Sequence, residues 1–127
     1  MIPNELNMVD FPFRPEQRLR SSADFTEVYR QRTSVADGVL IVYGSKNTLS
    51  WPRLGLSVGR RVGNAVTRNR WKRVIREAFR LNAGELPQNL DLVVHPRPGV
   101  EPQLEMVGQS LRRLSKRVQR KLGEKSR

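Results

Sequence analysis

The chain has 127 residues, no cysteine and a net charge of +12, and this length is enough for one domain with its own hydrophobic core. The lack of cysteine excludes a disulfide framework, a thiolate zinc site and a cysteine nucleophile. The sequence has no run of eighteen apolar residues and no N-terminal apolar run of signal-peptide length. We therefore expect a soluble, cytoplasmic protein with no membrane role.

Positive charge is concentrated in two segments. Residues 60–80 and residues 107–127 each carry a net charge of +7, whereas the rest of the chain carries −2. Arginine outnumbers lysine 19 to 5, and the guanidinium group binds phosphate through two parallel hydrogen bonds and stacks on bases. Basic segments on a near-neutral remainder indicate a nucleic-acid ligand rather than general solubility.

The N-terminal part is predicted to contain an arm and a short helix. Prolines and scattered polar residues in 1–13 predict an extended or disordered arm. The motif SSAD at 21–24 is typical of a capping box, and apolar residues follow it at helical spacing. This pattern predicts a first helix that ends at about Gln31.

Two strands are predicted next, joined by a polar turn around 45–52. The first, Val39–Tyr43, is a run of β-branched and aromatic residues. The second alternates Leu54, Leu56 and Val58 with glycine and serine. The small residues leave one face of this strand flat, as in a strand that lines a cleft or bends sharply.

A basic amphipathic helix is predicted from its N-cap, Asn64, to about Arg80. Its apolar residues recur at the spacing of a buried stripe, namely Trp71, Val74, Ile75, Ala78 and Phe79. The other side and its flanks carry Arg68, Asn69, Arg70, Lys72, Arg73, Arg76 and Arg80. A charge run is usually a solvated face, but such a face mixes signs and this one has a single acid. The pattern therefore favours a phosphate-binding surface, to which the open N-terminus of the helix would contribute.

The C-terminal part is predicted to hold a strand at Leu90–Val94 and a last amphipathic helix over 104–122, whose outer side is basic. Residues 123–127 are predicted to be a basic tail. The element order α-β-β-α-β-α predicts a single α+β domain in which the helices pack against one sheet.

The sequence contains no recognisable catalytic constellation. His95 is the only histidine, so it has no second histidine or cysteine with which to hold a metal. The acidic residues are scattered and form no cluster like those of two-metal nucleases. No nucleophile elbow, Walker motif or dinucleotide-binding glycine motif occurs. We predict no catalytic residue in this chain, and the sequence identifies no metal ligand.

Aromatic residues near the first helix and first strand allow two interpretations. Phe25, Tyr29, Ile41 and Tyr43 fit a wall on which unpaired bases stack, because a ring accepts the face of any base. They also fit an ordinary hydrophobic core, and the pattern alone favours the core.

Several blocks of the sequence resemble the protein component of bacterial ribonuclease P. Val62–Val66, Arg68-Asn69-Arg70, Lys72-Arg73 and Ile75–Arg80 are similar to the RNR signature of that family. The blocks SSADFTEVY, LGLSVG and VHPRPG resemble the other family blocks in the right order. The resemblance covers about residues 14–122, the expected extent of the domain.

The resemblance implies a mixed sheet packed with three helices and a left-handed strand–helix–strand crossover, although general statistics favour the right-handed form. It also implies that a large RNA carrying Mg²⁺ is the catalyst, with this chain as its protein cofactor. Together they would remove the 5′ leader of precursor tRNA by hydrolysis. The implied partners are therefore the catalytic RNA and precursor tRNA with its leader, and no obligate protein partner is indicated.

Residue roles are also implied by the resemblance. The residues expected to contact the catalytic RNA are Arg60, Arg61, Asn64, Arg68, Asn69, Arg70, Lys72, Arg73 and Arg76. The residues expected to line the cleft for the single-stranded leader are Phe25, Tyr29, Ile41 and Tyr43, which reverses the preference for a core.

The sequence departs from the family pattern at a few positions. Trp71 stands where an aliphatic residue is usual, Gln31 where a glycine commonly ends the first helix, and Arg60-Arg61 where lysines are more usual. Trp71 is a conservative change if it faces the core, whereas an exposed indole would be a stacking contact.

Two other functions are compatible with parts of the sequence. The basic segments alone would also suit a general structured-RNA-binding or ribosome-associated protein without a processing role. A self-sufficient metal-dependent nuclease is disfavoured, because the chain has no carboxylate cluster.

Overall fold

The computed structural model describes residues 14–125, and within them it has three helices and four strands. The helices are α1 (Ser22–Arg30), α2 (Ala65–Asn82) and α3 (Leu104–Lys125). The strands are β1 (Ser34–Ala36), β2 (Leu40–Lys46), β3 (Arg53–Leu56) and β4 (Leu90–Pro96). The predicted α+β class is confirmed, whereas the predicted arm at 1–13 lies outside the described residues.

The four strands form one mixed sheet in the order β1-β2-β4-β3. β2 is antiparallel to both β1 and β4, and β3 is parallel to β4. The two strands predicted on either side of the polar turn are therefore not neighbours, because β4 lies between them. The connection from β3 through α2 to β4 is the predicted crossover, and its handedness stays a prediction.

The strand and helix ends differ from the sequence prediction where long-range pairing decides them. β1 was not predicted, since three residues give almost no periodic signal. β2 continues to Lys46 because residues 44–46 pair with β4 in register, although glycine and serine have low strand propensity. α2 and α3 end at Asn82 and Lys125, later than predicted.

The hydrophobic core lies between one face of the sheet and the helices α2 and α3. Leu40 and Val42 of β2 and Leu92 and Val94 of β4 are fully buried on this face. α1 covers part of the other face, where Val28 packs with Tyr43 and Val93 in a smaller cluster. The sheet therefore separates the side chains of α1 from those of α2.

The local signals at the helix N-termini are confirmed. Ser21 caps α1 by accepting a hydrogen bond from the amide of Asp24 at 3.1 Å, and the Asp24 carboxylate accepts from the amide of Ser21. The first helix ends without a glycine, because Arg32 adopts the left-handed conformation at φ 52°. No described helix is long and apolar enough to span a bilayer.

Candidate nucleic-acid interfaces

The predicted apolar stripe of α2 faces the core. Trp71, Ile75, Ala78 and Phe79 have no exposed surface, and Val74 is half-buried. The indole of Trp71 is therefore a core group and not a stacking contact. Its Nε1 has no hydrogen-bond partner among the described residues. Because the stripe is buried, the basic side of α2 must face outward.

The outer side of α2 forms one wall of a basic groove with a volume of about 650 Å³. The lining residues are Arg18, Asn69, Lys72, Arg73, Arg76, Glu77 and Arg80. Four of them belong to the predicted RNA-binding set. Arg18 was not predicted and comes from the segment before α1. We call this feature the α2 groove.

Among residues 14–125, Glu77 is the one acid that lines the α2 groove, and it is paired within the helix. Its carboxylate accepts two hydrogen bonds from the Arg80 guanidinium, one of them at 2.9 Å from Nε. These bonds and the positive charge of Arg80 lower the pKa of Glu77 despite its partial burial. Arg18, Lys72, Arg73 and Arg76 then give the groove a strong net positive charge.

The other predicted RNA-binding residues lie outside the α2 groove, around the start of α2. Arg60 and Arg61 are exposed on a short 3₁₀ turn, Arg60–Val62. Arg68 is half-buried, and its Nε is enclosed with no hydrogen-bond partner among the described residues. Arg70 forms an exposed ion pair with Glu101 at 3.5 Å, a type of pair that contributes little to stability.

The N-terminus of α2 is capped at one amide by the Asn64 side chain. The Oδ1 atom of Asn64 accepts a hydrogen bond from the amide of Thr67 at 2.9 Å. Gly63 has φ 151°, and a Cβ there would lie 2.9 Å from the Thr67 side chain, so this turn requires glycine. Asn64 is thus confirmed as the N-cap, and one of the amides that would have been open to phosphate is already used.

The predicted leader-binding residues meet between α1 and the open part of the sheet. The rings of Tyr29 and Tyr43 are 5.0 Å apart and nearly perpendicular. Phe25 packs on Gly55, where a Cβ would lie 2.8 Å from its ring. The flat strand face inferred from the sequence is therefore filled by an aromatic ring. We call this surface the aromatic cleft.

The side chains of the aromatic cleft are only partly buried. Tyr29 is 36% exposed, and Phe25, Ile41 and Tyr43 are half-buried, whereas Val28 on the same helix is fully buried. Val28 thus supplies the core contact of α1, and the four predicted residues keep surface that a ligand can reach.

His95 completes the aromatic cleft, and it was not among the residues predicted to line it. Its Nε2 is 2.9 Å from the hydroxyl of Tyr29, and its ring is 5.1 Å from that of Tyr43. Burial lowers the pKa of His95, which favours the neutral imidazole. Burial also raises the pKa of Tyr29, although a hydrogen bond from Ser57 opposes this. The alternation of side chains along a strand could have predicted this position, since His95 lies two residues after Val93 and therefore on the same strand face.

Four of the eight cations in the second basic segment bond to other parts of the protein. Arg113 donates to Asp37 at 2.6 Å, and Arg112 donates to the buried Asn82. Two further cations of α3 bond to backbone carbonyls of β1, as Arg117 does to Ala36 and Lys121 to Ser34. Arg117 and Lys121 of α3 therefore help to hold β1, an edge strand of the sheet.

Metal binding by the described residues has no structural support. They contain no group of three or more His, Cys, Asp or Glu side chains placed to hold a metal ion. The buried Asp91 is engaged by Arg53 through two hydrogen bonds of 2.8 and 2.7 Å, and Asn47 donates to it at 2.8 Å. Residues 14–125 thus offer no set of side chains arranged as metal ligands.

The sequence and fold are similar to those of known proteins. The family model described as Ribonuclease P matches residues 13–119. The ribonuclease P protein component of Brevibacillus brevis is 41% identical over 103 residues, which are 80% of this chain and 82% of the relative. That of Thermotoga maritima is 38% identical over 95 residues, or 75% of this chain and 81% of the relative.

Solved structures give the same result. The RNase P protein of Staphylococcus aureus superimposes with a TM-score of 0.68 at 33% identity, covering 79% of this chain and 93% of that one. The RNase P protein from Thermotoga maritima gives a TM-score of 0.68 at 33% identity, covering 76% of this chain and 96% of that one. Identity and coverage of this extent relate both the sequence and the fold of this chain to those proteins.

Proposed function

This chain belongs to the family of bacterial ribonuclease P protein components, and from that membership we propose that it binds the catalytic RNA and the single-stranded 5′ leader of precursor tRNA. Its role is that of a subunit in tRNA processing. In the proposed assembly it assists the endonucleolytic removal of the leader, which leaves the mature 5′ end. The proposed setting is the cytoplasm.

The observation that carries this proposal is the presence of two chemically different surfaces. The α2 groove is lined mainly by cations, which suits the phosphates of a folded RNA. The aromatic cleft lies on the opposite face of the sheet. It offers the rings of Tyr29 and Tyr43, 5.0 Å apart, and the ring of Phe25 over Gly55. An unpaired strand is bound by such rings without sequence-specific hydrogen bonds.

The proposed division of work gives this chain a binding role. The basic groups of α2 would neutralise phosphates of the catalytic RNA, and the aromatic cleft would hold the leader beside it. Mg²⁺ would supply the hydrolytic chemistry while bound by the RNA subunit. Residues 14–125 contain no group of side chains placed to hold the ion themselves. The protein then raises the local affinity for substrates that carry a leader.

Reconstitution with the cognate RNA tests the proposal. At low Mg²⁺ concentration, the full-length protein is expected to increase the rate of 5′-leader cleavage from precursor tRNA, measured under single-turnover conditions. The protein without the RNA serves as the control and is expected to cleave nothing. An unchanged cleavage rate with added protein contradicts the proposal.

A general RNA-binding role is the second candidate, favoured by the concentration of charge in 60–80. It predicts equal affinity for unrelated structured RNAs and no gain in affinity from a leader. Comparing precursor tRNA with the same tRNA lacking its leader, in the presence of the catalytic RNA, separates the two. A clear preference for the precursor supports leader binding, and equal affinity supports the general role.

A further inference from the structure

The α2 groove has a second wall that lies outside the basic helix. Arg18 belongs to the segment that precedes α1, yet it lines the same groove as Lys72, Arg73 and Arg76. This arrangement depends on the tertiary structure, because Arg18 lies more than forty residues before the first residue of α2 in the sequence.

The backbone at Arg18 is fixed against the sheet. Arg18 forms an isolated parallel bridge with Leu54 of β3, and the Leu19 amide donates to the Leu54 carbonyl at 2.9 Å. The Leu19 side chain is buried in the smaller cluster under α1. The amide of Arg18 donates to the carbonyl of Pro15 at 3.1 Å, which closes a short 3₁₀ turn. The position from which the Arg18 guanidinium extends is therefore defined by the fold.

We propose that the α2 groove holds one stretch of phosphodiester backbone of the catalytic RNA between its two walls, with Arg18 contacting phosphate from the side opposite Arg73 and Arg76. The inference rests on the proposed function only in taking the catalytic RNA as the ligand of α2. Beyond the proposed function, the inference is that the RNA is held between two walls and not on a flat basic face. It also adds Arg18 as a contact residue outside the basic helix.

The chemistry of the α2 groove favours backbone over bases. Guanidinium groups bind phosphate oxygens in a bidentate manner, and no aromatic side chain from the described part of the chain lines the groove. Asn69 adds a neutral donor, and Glu77 is compensated by Arg80. Contacts of this kind fix the position of an RNA without reading its sequence, and each contributes to the salt dependence of binding.

The test compares Arg18→Ala with Arg20→Ala in the full-length protein bound to the cognate catalytic RNA. Arg20 is an exposed arginine of the same segment that does not line the groove. For Arg18→Ala, the slope of log K against log salt is expected to flatten by about 0.7–0.9, the value for one lost phosphate contact. Arg20→Ala is expected to leave the slope unchanged, and Arg18→Lys to restore most of it.

Further variants separate the possible failures. Arg73→Ala is expected to flatten the slope as Arg18→Ala does, and the double variant to show a non-additive loss, since both residues contact one stretch of backbone. If Arg73→Ala has its effect but Arg18→Ala behaves like Arg20→Ala, the clamp is wrong and RNA docking on α2 stands. If neither Arg73→Ala nor Arg18→Ala changes the slope, RNA docking on α2 itself is wrong. A loss seen only with precursor tRNA overturns the assignment to the catalytic RNA.

Discussion

At the scale of single residues, His95 is the residue whose interpretation the structure changes most. In the sequence it is an isolated histidine before a proline, with nothing to pair it to a metal or a nucleophile. In the fold it lies beside Ile41 in the antiparallel register of β2 and β4, with the hydroxyl of Tyr29 at 2.9 Å. Its position indicates that it orients the Tyr29 ring, rather than acting in chemistry.

His95→Ala is expected to weaken the contribution of the leader to binding by about 0.5–1.5 kcal/mol, the net value of one hydrogen bond. The reason is that Tyr29 loses the partner that holds its hydroxyl. The measurement is the ratio of affinities for precursor tRNA with and without a leader. Tyr29→Phe removes the same bond from the other side, so the double variant should lose no more than either single one. Full additivity of the two losses would contradict this positioning role.

At the scale of secondary-structure elements, the half-buried carboxylate of Asp37 joins the sheet edge to α3. Asp37, in the turn between β1 and β2, accepts hydrogen bonds from Ser110 at 2.6 Å, from Arg113 at 2.6 Å and from the amides of Val39 and Leu40. Burial opposes ionisation, but these bonds outweigh it and lower the pKa of Asp37 to about 2. α3 is thereby fixed to an edge strand of only three residues.

Asp37→Asn is expected to reduce the free energy of unfolding by about 1.5–3 kcal/mol near neutral pH, because hydrogen bonds to a charged acceptor are lost. The folded pKa is below the ordinary value of 3.8, so the stabilisation is complete above about pH 4 and is lost as the pH falls toward 2. Urea unfolding at several pH values should show the difference from the wild type shrinking over that range. Glu124→Gln, on the same helix and exposed, is the control. A pH-independent difference would show that the carboxylate charge is not the cause.

The same elements show what could be predicted from the sequence. The outward side of α2 follows from helical periodicity alone, since the stripe from Trp71 to Phe79 fixes it. The capping residues Ser21 and Asn64 are local signals and were predicted. Whether the C-terminal basic segment binds RNA had no local signal, because its bonds to Asp37, Ala36 and Ser34 depend on how α3 packs on the sheet.

At the scale of the whole molecule, the strand order determines contacts that could not be predicted from the sequence. Inserting β4 between β2 and β3 brings His95 beside Ile41, and leaves the outer edge of β3 open to the segment that carries Arg18. Both contacts join residues far apart in the chain, and a parallel pair such as β3 and β4 leaves no turn signal between its strands. The resemblance to a known family supplied the candidate site residues, and the strand order explains why they divide into two surfaces.

The separation of the two surfaces by the sheet predicts that their effects on binding are independent. Tyr43→Ala is expected to cost about 1–3 kcal/mol of affinity for precursor tRNA if a base stacks on that ring, and Arg73→Ala to weaken binding of the protein to the catalytic RNA. The quantity to compare is the loss of free energy for assembling protein, catalytic RNA and precursor tRNA. The loss in the double variant should equal the sum of the losses in the two single variants within about 0.3–0.5 kcal/mol, because the sites share no contacts. With a leaderless substrate, the Tyr43→Ala effect should disappear while the Arg73→Ala effect persists. A larger coupling would mean that the leader and the catalytic RNA meet at one continuous surface, and the division between α2 groove and aromatic cleft would then be wrong.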